Sequence, residues 1–287
     1  MLFELMKKVA RPTFLALALS YLATGCAPSF ISEIEKIDLQ DAPCAPFSYT
    51  SHDQRTIAGV KCKPDKHSAP VLVFLHGAPG NWKGWKQYLK DKDLNQNYEM
   101  VAVDRPGYGG SDPGKPEYSL RTQSRLIREA VKEQIGTKPY TVIGHSFGGP
   151  VAVQMAIDDP THAQKILLLA PSIDPALEKV EWYQKLADTQ VMRWFVPQAL
   201  DVCNQEIIAL GQELSLQATE LGKLRQSIFM IQGGKDDLVP PENADYAKRM
   251  FTGAQLNITM LPHQNHFLPW KEYDLVKSSI QLLTTKP

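Results

Sequence analysis

The feature that most limits how this chain can fold is a series of short, largely apolar runs, each closed by a turn or a polar residue. Val71-Leu-Val-Phe-Leu75 ends in His-Gly, and the run over 98–103 ends in Asp104. Thr141-Val-Ile143 ends in Gly-His-Ser, and the run over 165–169 ends in Ala-Pro. Ile228-Phe-Met-Ile231 ends in Gln-Gly-Gly, and the run over 256–261 ends in Pro-His. Apolar runs of this length suit strands buried on both faces, as in a parallel sheet. Helical patterns over 119–135, 147–158, 241–251 and 269–283 separate several of them. Strand alternating with helix predicts a doubly wound, mostly parallel α/β sheet, opened by an antiparallel pair at 47–50 and 56–62. In such a sheet ligands bind beyond the C-terminal ends of the strands.

One stretch breaks the alternation. Between the runs at 165–169 and 228–231 no strand pattern occurs, while Val202, Ile207, Ile208, Leu210 and Leu214 follow a helical period. A gap that long is not a simple loop. It reads as a helical lid over about 172–225, inserted above the site.

The residues before the sheet have another character. Lys7, Lys8 and Arg11 precede an apolar run over 14–22, which leads to Ala23-Thr24-Gly25-Cys26. A basic start, a short apolar stretch and small residues describe a bacterial export signal over 1–25. The run falls short of the roughly 20 apolar residues that span a bilayer. Residues 26–45 read as a tether, and 46–287 as the folded domain.

The chemistry-bearing motifs fall at the ends of the apolar runs. Gly144-His-Ser146-Phe-Gly148-Gly149 matches G-x-S-x-G between a strand and a helix. That sharp turn projects a Ser hydroxyl above the sheet, and the glycines avoid collisions with neighbouring backbone. A hydroxyl needs a base to become a nucleophile. His266, just before Phe-Leu-Pro-Trp, is the preferred base over His263, which reads as an exposed loop residue. The His needs an acid to fix its tautomer. Asp236 in Gly233-Gly-Lys-Asp-Asp-Leu-Val-Pro240 is the first choice, with Asp237 and then Asp174 as alternatives. The order Ser, Asp, His is the one this strand–turn–helix context uses.

Acyl chemistry also needs oxyanion donors. The loop His76-Gly-Ala78-Pro79-Gly80 and the elbow supply them as the backbone N–H groups of Ala78 and Phe147; Pro79 has none to give. His76 and His145 read as structural. Asp104-Arg-Pro-Gly-Tyr-Gly-Gly-Ser111 reads as a wall of the site. Trp82, Trp182, Tyr183, Trp194 and Phe195 are candidates for an apolar acyl pocket, or for residues that pack the lid onto the body. Cys203 reads as a small core residue. Cys44 and Cys62 flank the opening hairpin, so they are either bridged in an oxidising compartment or two reduced thiols.

In order and spacing these motifs resemble the α/β-hydrolase fold superfamily over roughly 45–285. The resemblance implies a serine esterase, lipase, peptidase or related acyl-transfer activity. Epoxide hydrolases and haloalkane dehalogenases share H-G-x-P but place Asp where this chain has Ser146. Proline iminopeptidases resemble the chain at H-G-x-P-G, but their elbow reads G-G-S-W-G. Separately, Thr24-Gly25-Cys26 resembles the lipobox of bacterial lipoproteins. That implies a lipidated Cys26, and Ala27 after it implies an outer-membrane anchor facing the periplasm.

Lys plus Arg and Asp plus Glu are each 31, so net charge argues for neither nucleic acid nor an acidic partner. No H-E-x-x-H or Cys-x-x-Cys occurs, and no metal or cofactor is expected. The expected activity is hydrolysis of a carboxylic ester or related acyl bond of a small molecule. A peptide- or amide-cleaving enzyme that uses Glu178, Glu181 or Asp188 to hold a free amine is the first alternative. A binding protein on a retired hydrolase fold is the second.

Overall fold

A computed structural model describes residues 38–64 and 68–285. The expected signal segment and Cys26 lie outside the described residues. No described helix is long and apolar enough to cross a membrane.

Among the described residues eight strands form one sheet. They are β1 (Cys44–Thr50), β2 (Thr56–Cys62), β3 (Val71–Leu75), β4 (Glu99–Val103), β5 (Tyr140–His145), β6 (Ala163–Leu169), β7 (Ser227–Gly233) and β8 (Gln255–Leu261). Their spatial order is β1-β2-β4-β3-β5-β6-β7-β8. β2 is antiparallel to both β1 and β4, and the remaining pairings are parallel. This is the mostly parallel α/β sheet that the apolar runs predict. β1 starts at Cys44 and so takes in Cys44 and Ala45, which the sequence assigns to the tether.

Period-two side chains feed two cores. Val71, Val73 and Leu75 of β3 enter one cluster, and Leu72 and Phe74 enter the other. The first is covered by α3 (Leu120–Ile135) and α4 (Gly148–Asp158). The second is covered by α1 (Lys86–Lys90), α2 (Lys92–Asn97) and the last helix, Tyr273–Thr285. α1 and α2 were not foreseen. Each is under two turns long, too short to show a repeating helical pattern, and Asp91 caps the second by accepting from Leu94 N–H at 2.9 Å.

β8 departs from the expectation of strands buried on both faces. Its residues alternate between exposed and half-buried, with Met260 40% exposed. It is an edge strand, so only one of its sides is covered by a neighbour.

Between β6 and β7 lie α5 (Trp182–Ala187), α6 (Gln190–Arg193), α7 (Gln198–Ala218) and a 3-10 turn at Leu221–Lys223. The helical insertion is tied to the body by named contacts. Gln217 donates to the Pro150 carbonyl at 2.9 Å, and Glu206 meets Arg105. Cys44 and Cys62 are directly paired in the β1–β2 register and form a disulfide. Cys203 is buried in α7, and burial pushes its thiol pKa up, so it stays protonated.

Candidate active site

The site grows from the ends of β3, β5 and β7 and from the loop after β8. Ser146 follows β5 directly, with φ of 54°, a left-handed value that a non-glycine residue rarely adopts. Its N–H donates to the Leu169 carbonyl at 3.0 Å, and its carbonyl accepts from Gly149 N–H at 2.9 Å. The turn is that tight because two glycines permit it. A Cβ on Gly144 would sit 2.3 Å from the Gly148 oxygen, and one on Gly148 would sit 2.5 Å from the Leu75 oxygen. The helix after the elbow, α4, is buried from Gly148 through Ala156, so it starts immediately beneath the serine.

His266 and Asp236 come together from two different loops. His266 Nδ1 is 2.8 Å from Asp236 Oδ2, and both residues are 4% exposed. The other carboxylate oxygen accepts from the N–H groups of Leu238 and Val239 at 3.0 and 2.8 Å. The Asp236 turn is fastened to the His266 loop: Gly234 N–H donates to Leu261 O, and Lys235 N–H donates to Gln264 O at 2.9 Å. The rivals lie elsewhere. Asp237 and His263 are exposed. Asp174 accepts from Ala176 N–H at 2.9 Å and faces Arg249.

With Nδ1 facing Asp236, Nε2 is the ring position that can act as a base. The ring is also held from below. His145, the residue before Ser146, donates through Nε2 to the His266 carbonyl at 3.1 Å, and the two rings lie 4.7 Å apart. Burial, helped by the neighbouring His266, lowers the His145 pKa well below the ordinary histidine value. His145 is therefore a neutral brace for the His266 loop. The motif G-x-S-x-G leaves its second position unspecified, so no sequence signal marks this role.

The His76–Gly80 loop runs beside the serine. A Cβ on Gly77 would fall 2.9 Å from Ser146 Cβ and 3.4 Å from Ser146 Oγ. The Gly77–Ala78 backbone therefore passes Ser146 at contact distance, and Ala78 and Phe147 are both buried. The Ala78–Pro79 peptide bond is cis. His76 is locked by its own loop: Nδ1–H donates to the Gly77 carbonyl at 2.6 Å, and Nε2 accepts from Arg105 N–H at 2.9 Å. Burial, and secondarily the Arg105 charge, drives its pKa well below the usual value. That fits one fixed neutral tautomer.

The loop from Asp104 to Ser111 is held by Asp104 itself. Asp104 accepts from Trp82 N–H at 2.7 Å and from Gly110 N–H at 2.8 Å. It thereby joins two loops at the mouth of the sheet. Burial raises the Asp104 pKa, against the pull of those two bonds. Arg105 and its partner Glu206 were not singled out in sequence. They lie far apart along the chain and meet only through the fold.

The pocket candidates do not act together. Trp182, Trp194 and Phe195 are 72%, 86% and 79% exposed. They face outward from the insertion and do not enclose an acyl pocket. Trp82 and Tyr183 are half-buried. The motifs alone cannot distinguish the inner from the outer side of so short a helix as α5. Among the described residues no cluster of His, Cys, Asp or Glu could hold a metal ion.

Residues 70–201 match the family model described as the alpha/beta hydrolase fold. The chain has the α/β-hydrolase fold. Within it, a solved 2-hydroxy-6-oxo-6-phenylhexa-2,4-dienoate hydrolase from Rhodococcus sp. strain RHA1 superposes with a TM-score of 0.65 at 16% identity, covering 85% of this chain and all of that one. A pimeloyl-[acyl-carrier protein] methyl ester esterase from Pseudoalteromonas atlantica is 26% identical over 69% of this chain and 88% of its own length. An epoxide hydrolase from Caenorhabditis elegans is 34% identical, but over only 34% of this chain and 24% of its own. The chain spans about half the length, or less, of several curated relatives that it matches.

Proposed function

We propose that this α/β-hydrolase-fold chain is a serine hydrolase that cleaves a carboxylic ester or related acyl bond. The observation that carries the reading is the 2.8 Å contact of Asp236 with His266, set among buried loops at the same end of the sheet as the Ser146 elbow. His266 Nε2 takes the Ser146 proton as Oγ attacks the substrate carbonyl. Asp236 keeps the ring in the right tautomer and stabilises the imidazolium. The N–H groups of Ala78 and Phe147 receive the oxyanion. The imidazolium returns its proton to the leaving group. Water, deprotonated by the same ring, then releases the acid from Ser146. A serine at the elbow, in place of aspartate, separates this reading from epoxide opening.

The test is turnover of short p-nitrophenyl esters, with fluorophosphonate labelling of Ser146. Loss of both in Ser146→Ala supports the reading. Unchanged turnover in that variant, or an unlabelled folded wild type, overturns it.

A second reading keeps the mechanism and changes the substrate to an amine-bearing peptide or amide. One observation favours it. Glu178 accepts a hydrogen bond from Ser172 Oγ, and the Ser172 N–H lies 3.3 Å from the Ser146 carbonyl. Glu178 is thereby linked through Ser172 to the backbone of the Ser146 turn. Turnover of an aminoacyl-naphthylamide above the ester panel would select this reading.

The reading also includes export and attachment by a lipid on Cys26, supported by the basic, apolar and Thr-Gly-Cys pattern of residues 1–26. Metabolic incorporation of palmitate that is lost in Cys26→Ser tests it.

A further inference from the structure

One of the two oxyanion donors belongs to the Gly77–Ala78 peptide, whose N–H must point at the developing charge. In a trans peptide the C=O and N–H point in opposite directions. Whatever holds the Gly77 oxygen therefore aims the Ala78 N–H. Two groups hold it: His76 Nδ1–H at 2.6 Å and Arg105 Nη2 at 3.3 Å. Arg105 Nε also donates to the His76 carbonyl at 3.0 Å, one peptide earlier. Its guanidinium stacks 4.3 Å from the Phe147 ring, so it also bears on the residue that offers the second N–H.

The guanidinium is fixed from the opposite side by the insertion. Glu206 of α7 accepts from Arg105 Nη1 and Nη2 at 2.9 and 3.0 Å, and neither side chain has measurable exposure. Tyr108 donates its hydroxyl to Glu206 at 2.7 Å, and Gln123 donates to it at 3.0 Å while accepting from Arg105 at 3.0 Å. Only a planar fork can satisfy two carboxylate oxygens, two consecutive loop carbonyls and a stacked ring together. A buried ion pair is weak support for stability as such, since desolvation offsets most of its attraction. Its persistence beneath the oxyanion loop calls for a positional reason.

We infer that Arg105, locked by Glu206 of the helical insertion, is a positioning residue that sets and polarises the Ala78 oxyanion donor. This rests on the serine-hydrolase reading above. A cation on the Gly77 oxygen draws electron density through the peptide and makes its N–H a stronger donor. The contact also couples the insertion to the catalytic loop: a shift of α7 would move the guanidinium, and with it the donor. The effect belongs to the transition state, where the oxyanion exists, and not to substrate binding.

The experiment uses the full chain with p-nitrophenyl butyrate as substrate and phenylboronic acid as the tetrahedral mimic on Ser146. Wild type must first turn over the ester and label with a fluorophosphonate. If it does neither, the serine-hydrolase reading fails, and this inference fails with it. Given activity, Arg105→Lys keeps the charge and loses the fork. It is expected to lower kcat by about tenfold or more, to leave KM within about twofold, and to weaken boronate inhibition by the same factor as kcat. Glu206→Gln, close in shape, should change the same quantities in the same direction by a smaller factor. The paired variant R105M/E206L removes both charges and avoids an unpaired one, so it keeps the inference testable if Arg105→Lys does not fold. If the paired variant does not fold either, Glu206→Gln decides. A merely structural role would lower Tm and leave kcat and boronate affinity at wild-type values in the folded variants. That result overturns the inference.

Discussion

Asp236 Oδ2 and His266 Nδ1 are 2.8 Å apart, although 30 residues separate them in sequence and they sit on different loops. The carboxylate cannot turn away, because its other oxygen is held by two backbone N–H groups. In Asp236→Asn the amide presents a donor or an uncharged acceptor to Nδ1, which removes the charge and can invert the tautomer. Steady-state kinetics should show kcat reduced by roughly 10⁴-fold with KM little changed. A reduction smaller than tenfold would mean that another carboxylate serves His266.

The two buried neutral histidines impose a pH dependence on stability. His76 and His145 have pKa values well below the 6.5 expected of an unfolded chain, burial being the larger cause in each case. The unfolded state therefore binds protons that the folded state refuses. Their contribution to stability is present above about pH 6.5 and is lost as pH falls below it, at up to ~1.4 kcal/mol per pH unit for each histidine. Urea unfolding at a series of pH values between 7.5 and 5 should show this slope, and His145→Phe should make it shallower.

Gly148 carries a tight packing demand at the elbow. A methyl group there meets the Leu75 and His76 oxygens at 2.5 and 2.7 Å, and both belong to backbone that cannot swing aside. Gly148→Ala should destabilise the fold by about 1–3 kcal/mol and displace the oxyanion loop. Thermal unfolding and ester turnover should fall together. A variant with wild-type Tm and turnover would contradict the packing described here.

The Cys44–Cys62 bridge closes a sequence separation of 18 at the end of the sheet away from the elbow. Loop closure of that length is worth about 3 kcal/mol. Reduction, or C44A/C62A, should lower unfolding free energy by roughly that amount while kcat on a soluble ester stays unchanged. A selective loss of kcat would show that the hairpin reaches the site.

Trp194 and Phe195 are the most exposed large apolar side chains among the described residues. Substituting both with Ser should change stability by less than about 0.5 kcal/mol each and leave turnover of a short soluble ester intact. A marked rise in KM for that ester would return them to the pocket.

The sequence by itself determined the sheet, the elbow and the chemical types of the site. Apolar runs of this length closed by turn residues suit strands in a covered parallel sheet, and a serine between glycines at a strand-to-helix turn suits a tight elbow. Local physics of that kind is written in neighbouring residues. The choice of Asp236 over Asp237 was a preference in sequence; one turn then buries the first and exposes the second. The outward turn of Trp182, Trp194 and Phe195, the bracing of His266 by His145, and the pairing of Arg105 with Glu206 were decided only by tertiary structure. Those contacts join residues brought together by separate strands, loops and an inserted helix. No periodicity or spacing encodes them, because a side chain's burial and partner depend on what the rest of the chain packs against it.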